Sequence, residues 1–181
     1  MPLSRVIRVA HTADLEKALL GEVWDMLVEV FEGDIEESDW EHALGGIHAL
    51  AYDGAELVGH AAVIQRRLLH GGRALRTGYV EGVGVRADHR RRGHASEMME
   101  ALERVIRDAY ELGALGATDD ATLFYRGRGW RLWGGPLSAL TPGGVVRTPD
   151  EEGAVYVLPV EGVPLDPSGS LTVDWRDGDV W

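Results

Sequence analysis

The sequence contains no cysteine. This absence excludes a thiolate nucleophile, a cysteine-based zinc site and a disulfide framework, so any group-transfer chemistry must proceed without an enzyme thiol. Lysine occurs once, at Lys17, and no stretch approaches the roughly 18 apolar residues that a membrane-spanning helix requires. The N-terminal residues also lack the apolar segment of a secretory signal peptide. We therefore expect a cytoplasmic protein with no membrane partner.

The net charge of the chain indicates which classes of partner it can bind. The chain has 181 residues, 30 of them acidic and 18 of them lysine or arginine, with a formal net charge of −12. This charge argues against nucleic acid as a partner, because phosphate binding needs clustered surface Lys and Arg. It favours cationic partners instead. The seven histidines form no HExxH or comparable ligand motif, so we predict no metal site.

The first half of the sequence predicts strands and helices in a definite order. Residues 4–11 alternate and are β-branched, which indicates a strand. A helix then runs through Phe31, with Thr12 and Asp14 as candidate N-caps. A short helix within an acidic loop follows, and then three strands separated by turns at Asp53-Gly54 and Gly71-Gly72. This half is therefore predicted to be mostly antiparallel.

The second half of the sequence alternates between segments with helical spacing of apolar residues and short segments typical of strands. Its clearest element is an amphipathic helix that begins near His94. A strand over 114–118, a short helix and another strand follow it. The remaining residues, 136–181, are rich in Pro and Gly and contain strand-like pieces at 154–160 and 170–175. With no linker or internal repeat, we predict a single α+β domain over residues 1–181.

A basic turn joins the strand ending Val83-Gly84-Val85 to the amphipathic helix. Arg90, Arg91 and Arg92 concentrate positive charge in an otherwise acidic chain. The unpaired amides and dipole of a helix N-terminus favour an anion, and Gly93 would let the backbone approach a phosphate closely. The turn is thus a candidate phosphate-binding loop. The alternative is a solvated basic turn.

Glu81 lies in the segment YVEGVGV, where an acid among apolar residues is unfavourable on a central strand. The flanking glycines suggest a β-bulge, which would free an amide such as that of Val83 to donate to a developing oxyanion. Glu81 could accept a proton from an amine, directly or through water. It could instead form a structural ion pair with Arg66 or Arg67.

The phosphate-binding loop resembles the acetyl-coenzyme A (acetyl-CoA) loop of the GCN5-related N-acetyltransferases. That loop has Arg or Gln, two residues, Gly, one residue, and then Gly or Ala, between a strand and a helix. A second segment of the family's pattern also has counterparts here. The matching residues are Arg90, Gly93 and Ala95 in the loop, and Ala121, Tyr125, Gly129 and Trp130 in the second segment.

The resemblance implies a fold, a cosubstrate and an acid. The fold is a mixed, mostly antiparallel central sheet with helices on both faces, covering a core of about residues 5–135, with C-terminal strands in 136–181. Tyr125 takes the position that often protonates the departing thiolate, although a packed aromatic ring is the alternative. Acetyl-CoA would be held by Val83, Val85, Arg90, Arg91, Arg92, Gly93, His94 and Ala95.

Over essentially its full length, the sequence resembles the actinobacterial aminoglycoside 2′-N-acetyltransferases. The segments FEGDIEESDWEH, GYVEGVGVRAD, RTPDEEG and DWRDGDVW carry this resemblance. By themselves, the acidic segments could equally be solvated loops. The resemblance implies that they bind substrate through Asp34, Asp39, Glu81, Glu151, Asp179 and the carboxylate of Trp181. Asp150 or Glu152 could replace Glu151 in this role.

We therefore expect an acetyl-CoA-dependent enzyme that acetylates the 2′ amine of aminoglycosides and confers resistance. Glu81 would act as base and Tyr125 as acid, and residues 136–181 would complete the substrate site. The resemblance also implies a homodimer. Two alternatives remain: an acetyltransferase for another cationic amine metabolite, and a non-catalytic protein that binds acyl-CoA or aminoglycosides.

Overall fold

A computed structural model describes residues 5–181, and in these residues it contains ten strands and four α-helices. The strands are β1 (Arg5–His11), β2 (Ile47–Asp53), β3 (Glu56–His70), β4 (Arg73–Val85), β5 (Leu112–Gly116), β6 (Arg131–Leu132), β7 (Leu137–Thr141), β8 (Gly144–Arg147), β9 (Val155–Pro159) and β10 (Leu171–Val173). The helices are α1 (Lys17–Val30), α2 (Glu37–His42), α3 (His94–Ala109) and α4 (Thr122–Gly127). No helix within the described residues is long and apolar enough to cross a membrane.

The chain divides into two compact units. Unit 1 runs to Ile64 and includes Val80–Val105, whereas unit 2 comprises Gln65–Tyr79 and Ile106–Trp181. Strands β3 and β4 therefore each contribute residues to both units.

Unit 1 is built on antiparallel pairs. β1 pairs with β2 from Arg5 opposite Asp53 to His11 opposite Ile47, and β2 pairs with β3 through the predicted turn at 53–54. One face of α1 packs with β2 and β3 because its apolar residues recur at helical spacing. This core consists of Leu15, Val23, Met26, Leu27, Leu50 and Leu57.

The predicted start of the first helix is wrong. Thr12–Asp14 form a separate 3₁₀ turn, whose Ala13 N–H donates to His11 Nδ1 at 3.1 Å. Helix α1 begins only after Glu16, at Lys17. Thr12 does not cap this helix, because its hydroxyl contacts His48 at 2.6 Å. The Thr12 hydroxyl therefore contacts a residue of another strand, His48, and not the amides at the start of the helix.

Unit 2 contains a mixed sheet in the order β6-β9-β5-β4-β3-β10-β7-β8. The β4–β5 and β10–β7 pairs are parallel, whereas β5–β9, β6–β9, β7–β8 and β3–β10 are antiparallel. This confirms the predicted mixed, mostly antiparallel sheet. β5 begins at Leu112, two residues before the predicted start, and the β7–β8 hairpin was not predicted because its strands are short and lie among Pro and Gly.

Candidate functional site

The basic turn before α3 adopts an unusual backbone. Arg91 and Gly93 have φ angles of +59° and +90°, in the left-handed region. Arg90 Nε donates to Val85 O at 3.2 Å, and Arg92 Nη1 lies 3.6 Å from Asp53 Oδ2. The three arginines are exposed, so the turn presents positive charge at the start of α3, as the phosphate-loop hypothesis requires.

The first turn of α3 holds a buried histidine. His94 is only 1 % exposed, and within residues 5–181 neither of its ring nitrogens has a hydrogen-bond partner. Burial lowers the pKa of His94, and the charge of Arg5 lowers it further. A neutral imidazole with unsatisfied nitrogens at a helix N-terminus is suited to a polar ligand, because leaving such atoms unpaired is unfavourable.

Glu81 precedes a distortion in β4. Gly82 has a φ angle of +59°, and its carbonyl oxygen accepts a hydrogen bond from His60 Nδ1 at 2.7 Å. This left-handed residue interrupts the extended backbone beside Glu81, as expected for the proposed bulge. Glu81 is half-buried, which leaves its carboxylate partly accessible to a substrate.

The arginines considered as partners of Glu81 have other contacts. Arg66 Nε donates to Asp174 Oδ1 at 2.8 Å, and Arg67 Nη1 donates to Ala74 O at 3.3 Å. Both arginines therefore have partners within unit 2.

An acidic cluster in unit 2 brings two of the predicted substrate ligands together. The pKa of Glu151 is raised by burial, then by the negative charges of Asp179 and Asp150. By contrast, Glu152 accepts from Leu137 N at 3.2 Å and pairs with Arg147 at 2.5 Å. Glu151 therefore shares the electrostatic environment of Asp179 and Asp150, whereas Glu152 is engaged by Leu137 and Arg147.

The segment 174–181 is not a frayed end of unit 2. Trp181 is 5 % exposed, and its indole Nε1 donates to Thr148 Oγ1 at 2.8 Å. Its amide donates to Asp179 Oδ1 at 3.1 Å. Arg176 donates to Asp179 O at 2.7 Å and to Trp181 O at 3.2 Å. The Trp181 oxygen predicted to bind an amine therefore also accepts from Arg176.

Tyr125 is held within unit 2 by aromatic contacts. Its side chain is 6 % exposed, and its ring centroid lies 5.2 Å from that of Phe124 and 6.1 Å from that of Trp130. These ring contacts are of the kind that a packed aromatic side chain makes, and the proposed role of the Tyr125 hydroxyl as an acid stays a prediction.

The two early acids differ in their surroundings. Asp34 is exposed. Asp39 accepts from Glu36 N at 2.8 Å, as part of a capping box at the start of α2. Asp39 therefore has a structural role besides the one predicted. Among residues 5–181, no group of three or more histidine or acidic side chains is arranged as metal ligands.

The sequence analysis did not single out His48 and His60. Both are completely buried in unit 1, and His48 Nδ1 lies 2.9 Å from His60 Nε2. Their signal in the sequence is weak: each is a polar residue with apolar residues on both sides, Ile47 and Ala49 for His48, Gly59 and Ala61 for His60. Nothing local indicates that the two rings meet.

Comparison with known proteins gives matches over most of the chain. A family model described as an acetyltransferase (GNAT) domain matches residues 11–133. The aminoglycoside 2′-N-acetyltransferase of Mycolicibacterium fortuitum is 51 % identical over 177 residues, covering 96 % of this chain and 91 % of that protein.

Solved structures share the fold at lower identity. The GNAT family N-acetyltransferase YhbS of Escherichia coli, solved in complex with CoA, matches with a TM-score of 0.63 and 19 % identity, over 97 % of this chain and 91 % of that one. Eis1 of Mycobacterium abscessus matches with a TM-score of 0.61 and 20 % identity. This second match covers 75 % of the present chain, which spans only 33 % of Eis1.

Proposed function

Because the chain belongs to the GNAT acetyltransferase family, we propose that it transfers the acetyl group of acetyl-CoA to the 2′ amine of aminoglycosides. The observation that carries this proposal is the extent of the 51 % identity, which covers 96 % of the chain. The matched domain ends at residue 133, so this identity also includes most of residues 134–181. That part contains Glu151 and Asp179, and neighbouring carboxylates are suited to a polycationic substrate.

The start of α3 fits the phosphates of acetyl-CoA. The unpaired His94 imidazole, the left-handed Gly93 and the exposed arginines together offer hydrogen-bond donors and positive charge. When bound, acetyl-CoA supplies a thioester, so the enzyme needs no nucleophile of its own. We assign its binding to Val83, Val85, Arg90, Arg91, Arg92, Gly93, His94 and Ala95.

The chemical roles follow from what amine acetylation requires. The amine must lose a proton to attack, and Glu81 accepts that proton at its carboxylate, directly or through water. The Val83 N–H donates to the oxygen that gains negative charge. Tyr125 donates its hydroxyl proton to the departing sulfur. Substrate amines and hydroxyls are bound by Asp34, Asp39, Glu81, Glu151, Asp179 and Trp181.

The biological consequence follows from the charge that the substrate loses. Acetylation converts a cationic amine into a neutral amide, which weakens binding of the drug to an anionic target. We therefore propose that the enzyme confers aminoglycoside resistance. We further propose that it acts in the cytoplasm, where acetyl-CoA is available, and that it forms a homodimer, as the family resemblance implies.

A matched pair of drugs tests the regiochemistry. Kanamycin B has an amine at the 2′ position, where kanamycin A has a hydroxyl. We expect the enzyme and acetyl-CoA to add one acetyl group to kanamycin B, at the 2′ nitrogen, and to leave kanamycin A unmodified. Mass spectrometry gives the number of acetyl groups, and NMR gives their position. Equal turnover of kanamycin A would overturn the assignment.

A substitution of Glu81 tests the proposed base. Glu81→Gln keeps the size of the side chain but removes its ability to accept a proton, so we expect kcat to fall by about 100-fold at neutral pH. Binding of CoA, measured by calorimetry, should be unchanged. A variant with normal kcat and weakened CoA binding would assign Glu81 a structural role.

A further inference from the structure

A chain of hydrogen bonds runs through the interior of unit 1 and ends on the carbonyl of Gly82. The Gly45 amide donates to Thr12 Oγ1 at 2.9 Å, and Thr12 Oγ1 lies 2.6 Å from His48 Nε2. His48 Nδ1 lies 2.9 Å from His60 Nε2, and His60 Nδ1 lies 2.7 Å from Gly82 O. Residues of β2 and β3 thereby link the Thr12–Asp14 turn to the distorted residue of β4.

The last acceptor determines the direction of every bond in this chain. Gly82 O is a carbonyl oxygen and can only accept, so His60 carries its proton on Nδ1. In neutral His60, Nε2 is then an acceptor, which requires a proton on His48 Nδ1. His48 Nε2 in turn accepts from the Thr12 hydroxyl at 2.6 Å, which is much closer than the other acceptor near that hydroxyl, Gly46 O at 3.4 Å. Each donor and acceptor therefore has one consistent role, and both histidines are Nδ1–H tautomers.

Both rings are neutral at physiological pH. Burial, with a smaller effect of the neighbouring His48, lowers the pKa of His60 to about 3, even though the hydrogen bond to Gly82 O raises it. Burial and the charge of His11 lower the pKa of His48 to about 4. The chain ends on a carbonyl, which does not take up a proton under these conditions, so it does not conduct protons. Its consequence must be geometric.

The geometric consequence concerns the peptide that joins Gly82 to Val83. The described residues contain no cis peptide bond, so the carbonyl of Gly82 and the amide of Val83 point in opposite directions across one planar group. Holding the carbonyl against His60 thus fixes the direction of the Val83 N–H. Gly82 has a φ angle of +59°, outside the extended region, so strand geometry alone does not impose this orientation.

We propose that His60, supported by His48 and Thr12, is a positioning residue that holds the Val83 amide in the orientation needed to donate to the thioester oxygen. This inference rests on the proposed acetyl transfer. An oxyanion donor is effective only if it is oriented before the charge develops, because reorientation would cost free energy during the reaction. This role gives a reason for two buried histidines that do not conduct protons.

Packing around the rings prevents them from rotating away. The Trp40 ring centroid lies 5.7 Å from that of His60, in an edge-to-face arrangement, and 6.3 Å from that of His48. On the opposite strand, a Cβ at Gly82 would lie 3.2 Å from His60 Cε1 and Nδ1. The glycine therefore allows the close approach that the 2.7 Å hydrogen bond requires.

Two substitutions of His60 separate positioning from folding. His60→Phe removes the donor to Gly82 O, whereas His60→Asn offers an amide N–H near the position of Nδ1. We expect His60→Phe to lower kcat by about 10- to 100-fold, which does not exceed the fall in kcat caused by removing an oxyanion donor itself. The KM values for acetyl-CoA and for the aminoglycoside should be nearly unchanged. His60→Asn should recover most of the loss. An unchanged kcat in His60→Phe would overturn the proposal.

A matched control distinguishes this effect from loss of stability. His70 is also buried, donates from Nδ1 to Ser170 O at 2.9 Å and accepts from Asp166 N at 3.0 Å. His70→Phe removes the same kinds of bond in unit 2. It should lower the melting temperature without lowering kcat at 25 °C. An equal fall in kcat for the His70 and His60 variants would show that destabilisation explains both, and would overturn the proposal.

NMR provides readouts that do not depend on turnover. In the protein without ligand, side-chain ¹⁵N shifts should show His48 and His60 as Nδ1–H tautomers; Nε2–H tautomers would overturn the proposal. The Val83 amide resonance should respond differently to acetyl-CoA and to CoA, and His60→Phe should abolish this difference. If the wild type shows this response but acetylates no aminoglycoside, the proposed substrate is wrong and the positioning role stands.

Discussion

Arg66 contacts both the side chain and the main chain of Asp174. Its Nε donates to Asp174 Oδ1 at 2.8 Å and its Nη2 donates to Asp174 O at 2.9 Å. Its Nη1 donates to Val180 O at 2.7 Å. The guanidinium is 3 % exposed, and burial lowers its pKa even though the charge of Asp174 raises it. One buried cation therefore anchors the segment 174–181 within unit 2.

Removing the anionic partner of this cation should destabilise the protein. We expect Asp174→Ala to lower the free energy of unfolding by about 2 to 3 kcal/mol, less than for a fully buried pair because the Asp174 carboxylate is partly exposed. Urea denaturation measures this loss. Replacing the exposed Glu161 by Ala is the control and should change stability little. Adding Arg66→Met to Asp174→Ala should restore part of the loss, since the unpaired buried charge is then gone.

The buried histidines of unit 1 should make stability depend on pH. Their pKa values of about 4 and about 3 lie below the ordinary value of 6.5. The unfolded chain therefore binds protons that the folded chain excludes as pH falls below 6.5, and the stability due to the neutral rings is lost toward these lower values. Each histidine should contribute a slope of up to about 1.4 kcal/mol per pH unit.

The contribution of His60 to this pH dependence is measured by comparing the unfolding free energies of the wild type and a variant. Unfolding free energies of the wild type and His60→Phe, determined between pH 6 and pH 4, should differ in slope by about one proton. Parallel curves for the two proteins would show that His60 is protonated in the folded state.

Two adjacent acids should have opposite effects on stability. Burial and the charges of Asp179 and Asp150 raise the pKa of Glu151, so its ionisation destabilises the folded state as pH rises through that pKa. The Leu137 amide and Arg147 lower the pKa of Glu152, so its charge stabilises the fold above the unfolded pKa. At pH 7, Glu151→Gln should raise the melting temperature and Glu152→Gln should lower it.

The difference for Glu151 should diminish once pH falls below the ordinary pKa of glutamate, because its carboxyl group is then protonated in both states. The difference for Glu152 should diminish only at lower pH, as pH falls through the lowered pKa of its folded state. Glu151→Gln should also weaken binding of kanamycin B, measured by calorimetry, because the proposed site loses a negative charge. If both variants shift the melting temperature in the same direction at pH 7, the assigned surroundings of Glu151 are wrong.

Two glycines with the same backbone conformation should respond differently to substitution. Gly82 and Gly71 have φ angles of +59° and +57°. An added Cβ would lie 3.2 Å from the His60 ring at Gly82 but would meet nothing within 4 Å at Gly71. Both alanine variants should lose about 1 to 2 kcal/mol of stability through the left-handed conformation. Only Gly82→Ala should also lower kcat, and an equal kcat for both would contradict the role assigned to His60.

Local patterns in the sequence predicted most elements correctly. The turn at 53–54 separates β2 from β3, and α3 begins at His94 as its apolar spacing indicated. These predictions succeed because hydrophobic period and turn residues act within a few positions. The N-cap prediction at Thr12 failed because the same hydroxyl found a partner on another strand. Local propensity and tertiary contact compete for the same donor.

For the candidate site, the sequence by itself determined the types of chemistry available. It contains a basic turn before an amphipathic helix, an acid beside a glycine in a central strand, and acidic segments near the end of the chain. These depend on composition and short spacing. What only the tertiary structure decided is which groups share an electrostatic environment or a proton. Arg66 and Asp174 are 108 residues apart, and the tautomers of His48 and His60 follow from a carbonyl on a third strand. Hydrogen bonds and charge interactions depend on distances of a few ångströms, which only the folded chain defines.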